Sequence, residues 1–181
     1  MNRIFLSLTF SFLLIQCTDS QKTVDTSSKK KLIVKTKKTE SIPVPVYDSF
    51  DDMAHIFNQK NDTTYIINFW ATWCKPCVEE LPYFEDIHEK YADQPVKVIL
   101  VSLDFSKQLE SKLYPFLKER NIQSDVMVLI DNDSNYWISA VEESWEGAIP
   151  ITIIYNKDKR QFIGEQFANH DELESILKTF L

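Results

Sequence analysis

The chain of 181 residues carries 27 acidic and 20 basic side chains, a formal net charge of −7. That balance speaks against a nucleic-acid partner, whose phosphates call for a basic surface. Only 2 glycines occur, Gly147 and Gly164, so neither a Gly-rich dinucleotide loop nor a P-loop can be written. The 3 cysteines are too few for a disulfide framework, and the length suits one ordinary domain plus a leader.

Residues 1–16 read as a signal peptide: Asn2 and Arg3 precede an apolar run that is too short to span a bilayer comfortably. The run ends in Leu14-Ile15-Gln16-Cys17, which resembles a bacterial lipobox and implies lipidation of Cys17. The alternatives are an ordinary signal peptide with an incidental cysteine and an uncleaved anchor. Residues 17–42 are then the lipidated cysteine and a flexible Lys/Thr/Ser-rich tether, and 43–181 the folded domain. This organisation predicts a membrane-anchored lipoprotein of the cell envelope, facing the periplasm or exterior, where a thiol pair meets no cytosolic reductant.

Two short apolar groups, Leu32-Ile33-Val34 and Ile42 to Val46, are candidates for paired edge strands, because Pro43 and Pro45 argue against a central one. A helix is expected from Ser49, with Asp51 and Asp52 in its first turn and Met53, Ile56 and Phe57 at helical spacing. Thr64 to Trp70 reads as a buried strand. Lys75 to Ala92 reads as a helix with Leu81, Phe84, Ile87, His88 and Tyr91 on one side and a proline, Pro82, that should kink it. Val96 to Leu103 is a strand covered on both faces. Leu109 to Arg120 is helical with a distortion at Pro115. Val126 to Ile130 is a strand, and Asp133 to Val141 a short helix. Ile151 to Tyr155 and Arg160 to Gln166 form a hairpin, and His170 to Leu181 a closing amphipathic helix with Ile176, Leu177 and Phe180 on its apolar side. The pattern predicts an α/β fold, a central mixed sheet with helices on both faces.

Chemistry concentrates at Trp73-Cys74-Lys75-Pro76-Cys77, where a strand hands over to a helix. Unpaired N–H groups and the dipole at a helix start favour negative charge, and thiolate is the reactive form of cysteine. With Cys77 one turn on, the pair reads as a dithiol redox centre. A zinc site would need a further pair of ligands, and His55, His88 and His170 are scattered rather than spaced as ligands. The remaining alternative, two inert buried cysteines, fits the strand-to-helix setting poorly.

The run Phe69 to Cys77, followed by Glu80-Leu81-Pro82, resembles the thioredoxin superfamily, and within it the TlpA/ResA-type membrane-anchored thiol-disulfide oxidoreductases. Gly147-Ala148-Ile149-Pro150-Ile151-Thr152 is similar to that family's second motif. Lys75 departs from the pattern. The resemblance implies a thioredoxin-like fold, Cys74 as the exposed attacking thiol, Cys77 as the buried resolving one, and a redox-active Cys74–Cys77 disulfide. It implies a cis Ile149–Pro150 peptide beside the sulfurs that pairs with an extended substrate. It also picks Glu80, rather than Glu79, as a carboxyl that exchanges the Cys77 proton. Trp73, Lys75, Pro76, Ile149 and Pro150 would meet the substrate, and Trp145 is a weaker candidate for the same groove.

The expected activity is reduction of disulfides in exported proteins, recharged by an upstream membrane reductant, with no organic cofactor or metal. A disulfide oxidase or isomerase, or a non-catalytic thioredoxin-like binding lipoprotein, are the alternatives. A peroxidase would need Thr and Arg around its cysteine, and the arginines beyond the leader, Arg120 and Arg160, are remote from the motif.

Overall fold

The structure, a computed structural model, describes residues 44–181. The expected signal peptide, Cys17, the tether and the Leu32–Val34 strand lie outside the described residues. The order of elements is β1 (Val46–Tyr47), α1 (Phe50–Met53), β2 (Thr64–Trp70), α2 (Lys75–Lys90), β3 (Val96–Ser102) and α3 (Tyr114–Glu119). There follow β4 (Asp125–Leu129), α4 (Ser134–Val141), β5 (Ile151–Tyr155), β6 (Arg160–Ile163) and α5 (His170–Leu177). Among the described residues, no helix is long and apolar enough to cross a membrane.

The strands form one sheet in the order β1-β4-β3-β2-β5-β6. β1, β4, β3 and β2 are parallel, and β5 and β6 each run antiparallel to their inner neighbour. Every residue of β2 is buried, the polar Thr64 and Asn68 included, as suits a strand covered on both faces. Alternate side chains divide the core. Ile66, Trp70, Val98, Leu100 and Ile154 pack with α2, α3 and α5 on one face. Ile67, Phe69, Ile99, Val101 and Ile153 pack with α1 and α4 on the other. Helices therefore cover both faces, as the alternation of elements implies.

Capping residues begin these helices where the sequence places them: the Ser49, Asp133 and Asn169 side chains accept from the N–H groups of Asp51, Tyr136 and Glu172. Elsewhere the elements are shorter than expected. The first helix is a single α turn continued as a 3₁₀ turn over Ala54–Phe57. The expected helix from Leu109 to Arg120 is a π-helical turn, Leu109–Leu113, followed by α3. Pro115 sits in the first turn of α3, where its missing N–H costs little, and the wider turn precedes it. β6 stops at Ile163, before Gly164, rather than at Gln166. α5 ends at Leu177, yet Phe180 beyond it is still buried. The edge strand near Val46 exists and pairs with β4; the other member of the expected pair, Leu32–Val34, lies outside the described residues.

Candidate active site

The parallel strands β2, β3 and β4 end on the same side of the sheet, and the segments leaving them make the site. Residues 71–74 carry the chain from β2 into α2. Cys74 is the N-cap of α2, and its sulfur accepts from the Cys77 N–H at 3.3 Å. Cys74 and Cys77 are joined as a disulfide, with their Cα atoms 5.3 Å apart. Cys77 is wholly buried, whereas Cys74 retains 6 % exposure. Cys74 is thus the accessible member of the pair, but it is far more enclosed than the expected exposed thiol. The enclosure has identifiable walls: Trp73 and Pro76 flank it in sequence, and the Ile149 carbonyl oxygen lies 3.7 Å from Sγ.

The Ile149–Pro150 peptide is cis, as the motif implies. Pro150 is buried and leads into β5, which is held against β2 by the pairing of Phe69 with Ile151. The loop before it depends on Gly147, whose φ of +86° is unfavourable for other residues. A Cβ there would also lie 2.9 Å from Ile138 Cδ1. Trp145 does not line a groove. It is buried against Phe69 and Trp137, and its Nε1–H donates to the Ala148 carbonyl at 2.7 Å, so it props the loop from within.

Glu80 lies one helical turn after Cys77 and is fully buried, while Glu79 is exposed. The Asn68 amide donates to Glu80 Oε1 at 2.9 Å, and the Phe167 N–H donates to Oε2 at 3.1 Å. Burial pushes the Glu80 carboxyl up to about 7, and those donors only partly offset it. Asn68 also donates to the Ile151 carbonyl and to Thr152 Oγ1, tying the carboxyl to the strand that follows Pro150. Lys75 is exposed and its ammonium is turned to Glu79, 3.5 Å away across one helical turn. Its charge is therefore shared with a carboxylate and with water.

Three features escaped the sequence reading. Asp104 is buried and accepts from the Thr72 N–H at 3.0 Å, the Thr72 hydroxyl and the Ser102 hydroxyl, clasping the turn that delivers Cys74. Phe105, 61 % exposed, stacks on Trp73. Phe167 supplies the N–H to Glu80 from a loop 87 residues away in sequence. No local pattern marks any of them. The arginines are engaged elsewhere: Arg120 lies over the Phe116 ring, and Arg160 donates to Glu142 and to the Val141 carbonyl.

The AhpC/TSA family model matches residues 51–160. This chain belongs to the AhpC/TSA family. Its similarity to ResA proteins accords with the resemblance read from the two motifs. A thiol-disulfide oxidoreductase ResA of Bacillus thuringiensis (strain Al Hakam) is 30% identical over 115 residues, covering 62% of this chain and 60% of that protein. The AhpC/TSA chain thus spans about 60% of the length of the ResA relatives it matches. Solved structures share the fold. A thioredoxin family thiol:disulfide interchange protein from Chlorobium tepidum TLS aligns with a TM-score of 0.53 at 22% identity, over 65% of this chain and 79% of that one. A DsbF homologue from Corynebacterium diphtheriae aligns with a TM-score of 0.54 at 20% identity, over 66% and 73%. The fold is thioredoxin-like.

Proposed function

We propose that this protein is a thiol-disulfide oxidoreductase that reduces disulfides of exported proteins through Cys74 and Cys77. The observation that carries the reading is the Cys74–Cys77 pair at the start of α2, with its outer sulfur beside Ile149 and Pro150 and a buried carboxyl one turn behind its inner one. The names of the ResA relatives support it.

In the reduced protein the Cys74 thiolate, stabilised by the Cys77 N–H and the helix start, attacks a client disulfide. A Cys74–client disulfide forms, and the displaced client sulfur takes up a proton. Cys77 then passes its proton to Glu80 and attacks Cys74 Sγ, releasing the second client sulfur, which is protonated in turn. Two electrons pass from the protein to the client; one of the client's two protons comes from Cys77 by way of Glu80 and water, the other from solvent, and the Cys74–Cys77 disulfide remains. Near neutral pH a carboxyl that titrates at about 7 accepts a proton and returns it with little loss in either direction. Trp73, Pro76, Ile149 and Pro150 frame the client, and Lys75 adds charge at the rim.

The same reading includes export by the leader, lipid attachment through Cys17, and a membrane thiol reductant that regenerates the dithiol. The test is the reduction of insulin by dithiothreitol. The purified protein is expected to accelerate it strongly, and a rate equal to the uncatalysed one contradicts the proposal. A redox potential near that of a strong oxidant would instead favour the oxidase direction.

A further inference from the structure

Among the described residues, the large apolar side chains left exposed are Val46, Trp73, Phe105, Tyr136 and Leu181. Two of these touch: Trp73, 53% exposed, and Phe105 stack with centroids 6.1 Å apart and planes 22° apart. Trp73 directly precedes Cys74. Contacting aromatics left in water beside a reactive centre are characteristic of a surface that a partner covers.

The sheet order fixes where the pair lies. β2 delivers Cys74; on one side of it β5 begins just after Ile149 and Pro150, and on the other β3 ends just before Phe105. A segment crossing the strand ends from Pro150 over Cys74 meets the aromatic pair next. Beyond Phe105 lies a cleft of about 530 Å³, walled in part by Leu103, Leu129, Ile130 and Trp137. Its carboxylates are already engaged, Asp104 by Thr72 and Ser102, and Asp131 by the N–H groups of Phe50 and Asp133. The rest of the lining is mixed: Ser106, Lys107, Gln108 and Asn132 border the cleft beside its apolar walls, so the apolar contact offered to a visitor comes from Trp73, Phe105 and those walls.

We propose that Trp73, Phe105 and this cleft form a recognition surface for the client polypeptide, selecting clients with an aromatic or bulky aliphatic residue close to the reacting cysteine. The inference rests on the oxidoreductase reading. The occupant follows from position: any molecule that exchanges a disulfide with Cys74 must bring its sulfur to the narrow opening beside Trp73, so its flanking residues fall on the aromatic pair. An aromatic side chain there gains apolar contact on the ring faces and in the cleft, whereas serine gains almost none.

The experiment uses the full chain, reduced and then freed of reductant. It is mixed with peptides that each hold one intramolecular disulfide and differ only in tyrosine or serine beside the cysteines. Single-turnover transfer is followed by thiol alkylation and mass spectrometry. In each turnover the protein dithiol becomes a disulfide and the peptide disulfide becomes a dithiol, so no further reductant is needed. The tyrosine peptide is expected to react about tenfold faster. Phe105→Ser brings the ratio down to about one, and Phe105→Trp keeps it. Equal rates for the two peptides in the wild-type protein overturn the inference and leave the oxidoreductase reading standing. So does an undiminished ratio in Phe105→Ser. The wild-type ratio decides alone if that variant does not fold. Failure to reduce either peptide, or hydroxyethyl disulfide, removes the oxidoreductase reading and this inference together.

Discussion

Glu80, near the start of α2, and Glu174, on α5 against the end of α2, are both buried, yet their titrations move in opposite directions. Glu80 has only N–H donors for company, from Asn68 and Phe167, and burial pushes it up to about 7. Glu174 accepts from the Lys90 ammonium and from the Tyr91 hydroxyl at 2.8 Å, with the Lys178 ammonium 3.3 Å away. Those partners, Lys90 foremost, hold it at about 2. Tyr91 in turn is pushed up to about 12, first by its own burial and then by its bond to Glu174. Two things separate an acid that titrates near neutrality from one that fastens two helices: Glu80 lies deeper, so burial dominates its titration, and it lacks the cations that outweigh burial at Glu174. The cation-free acid is the one behind the sulfurs.

The consequences for pH are opposite too. A raised carboxyl favours the neutral form in the fold, so the stability Glu80 contributes is complete below its ordinary value of 4.5 and is lost as pH rises through about 7. The displacement corresponds to about 3 kcal/mol. A lowered carboxyl favours the charged form, so the stability Glu174 contributes is present above 4.5 and is lost as pH falls toward about 2.

Substitutions can break this contrast in order of size. The largest loss belongs to Cys74→Ser, which is expected to reduce insulin no faster than buffer does; retained activity would show that the wrong sulfur has been given the attacking role. Next comes Glu80→Gln. It should slow release of the client from the mixed disulfide by about 100-fold and erase the rate inflection near pH 7, read by stopped flow across pH. The same variant should flatten the fall in stability as pH rises toward 8, which denaturant titrations at a series of pH values will register. Glu174→Gln is expected to lower Tm by several degrees at neutral pH, with the difference shrinking as pH falls, while turnover is unaffected. Were Glu174→Gln instead to shift the pH–rate profile, the division between the two acids would fail. Lys75→Ala should be the smallest, about a twofold fall in kcat/KM, because its ammonium is exposed and paired with Glu79.

The sequence carries some of this site openly and hides the rest for a physical reason. The strand over Thr64–Trp70 and the helix from Lys75 are legible because burial on both faces and periodic apolar residues leave local marks. Glu80 is singled out beside Glu79 only by the resemblance of its motif; that it is buried and Glu79 exposed is what the structure adds. Asp104, Phe105 and Phe167 act through contacts with residues 32, 32 and 87 positions away, which no spacing rule records. Trp145 was legible as an aromatic near the proline loop, but only its bond to Ala148 and its stacking reveal which way it faces. The helices around Phe50 and Leu109 read longer than they are because 3₁₀ and π turns keep apolar spacing close to that of an α-helix.

The most direct measurement is capture of the intermediate. The Cys77→Ala protein, incubated with a disulfide-bonded client and then alkylated, is digested and mapped by mass spectrometry. A stable client adduct on the peptide containing Cys74, absent from Cys74→Ser, is the predicted result. Recovery of Cys74 as an unmodified, alkylatable thiol under conditions where insulin is reduced by the wild-type protein would contradict it.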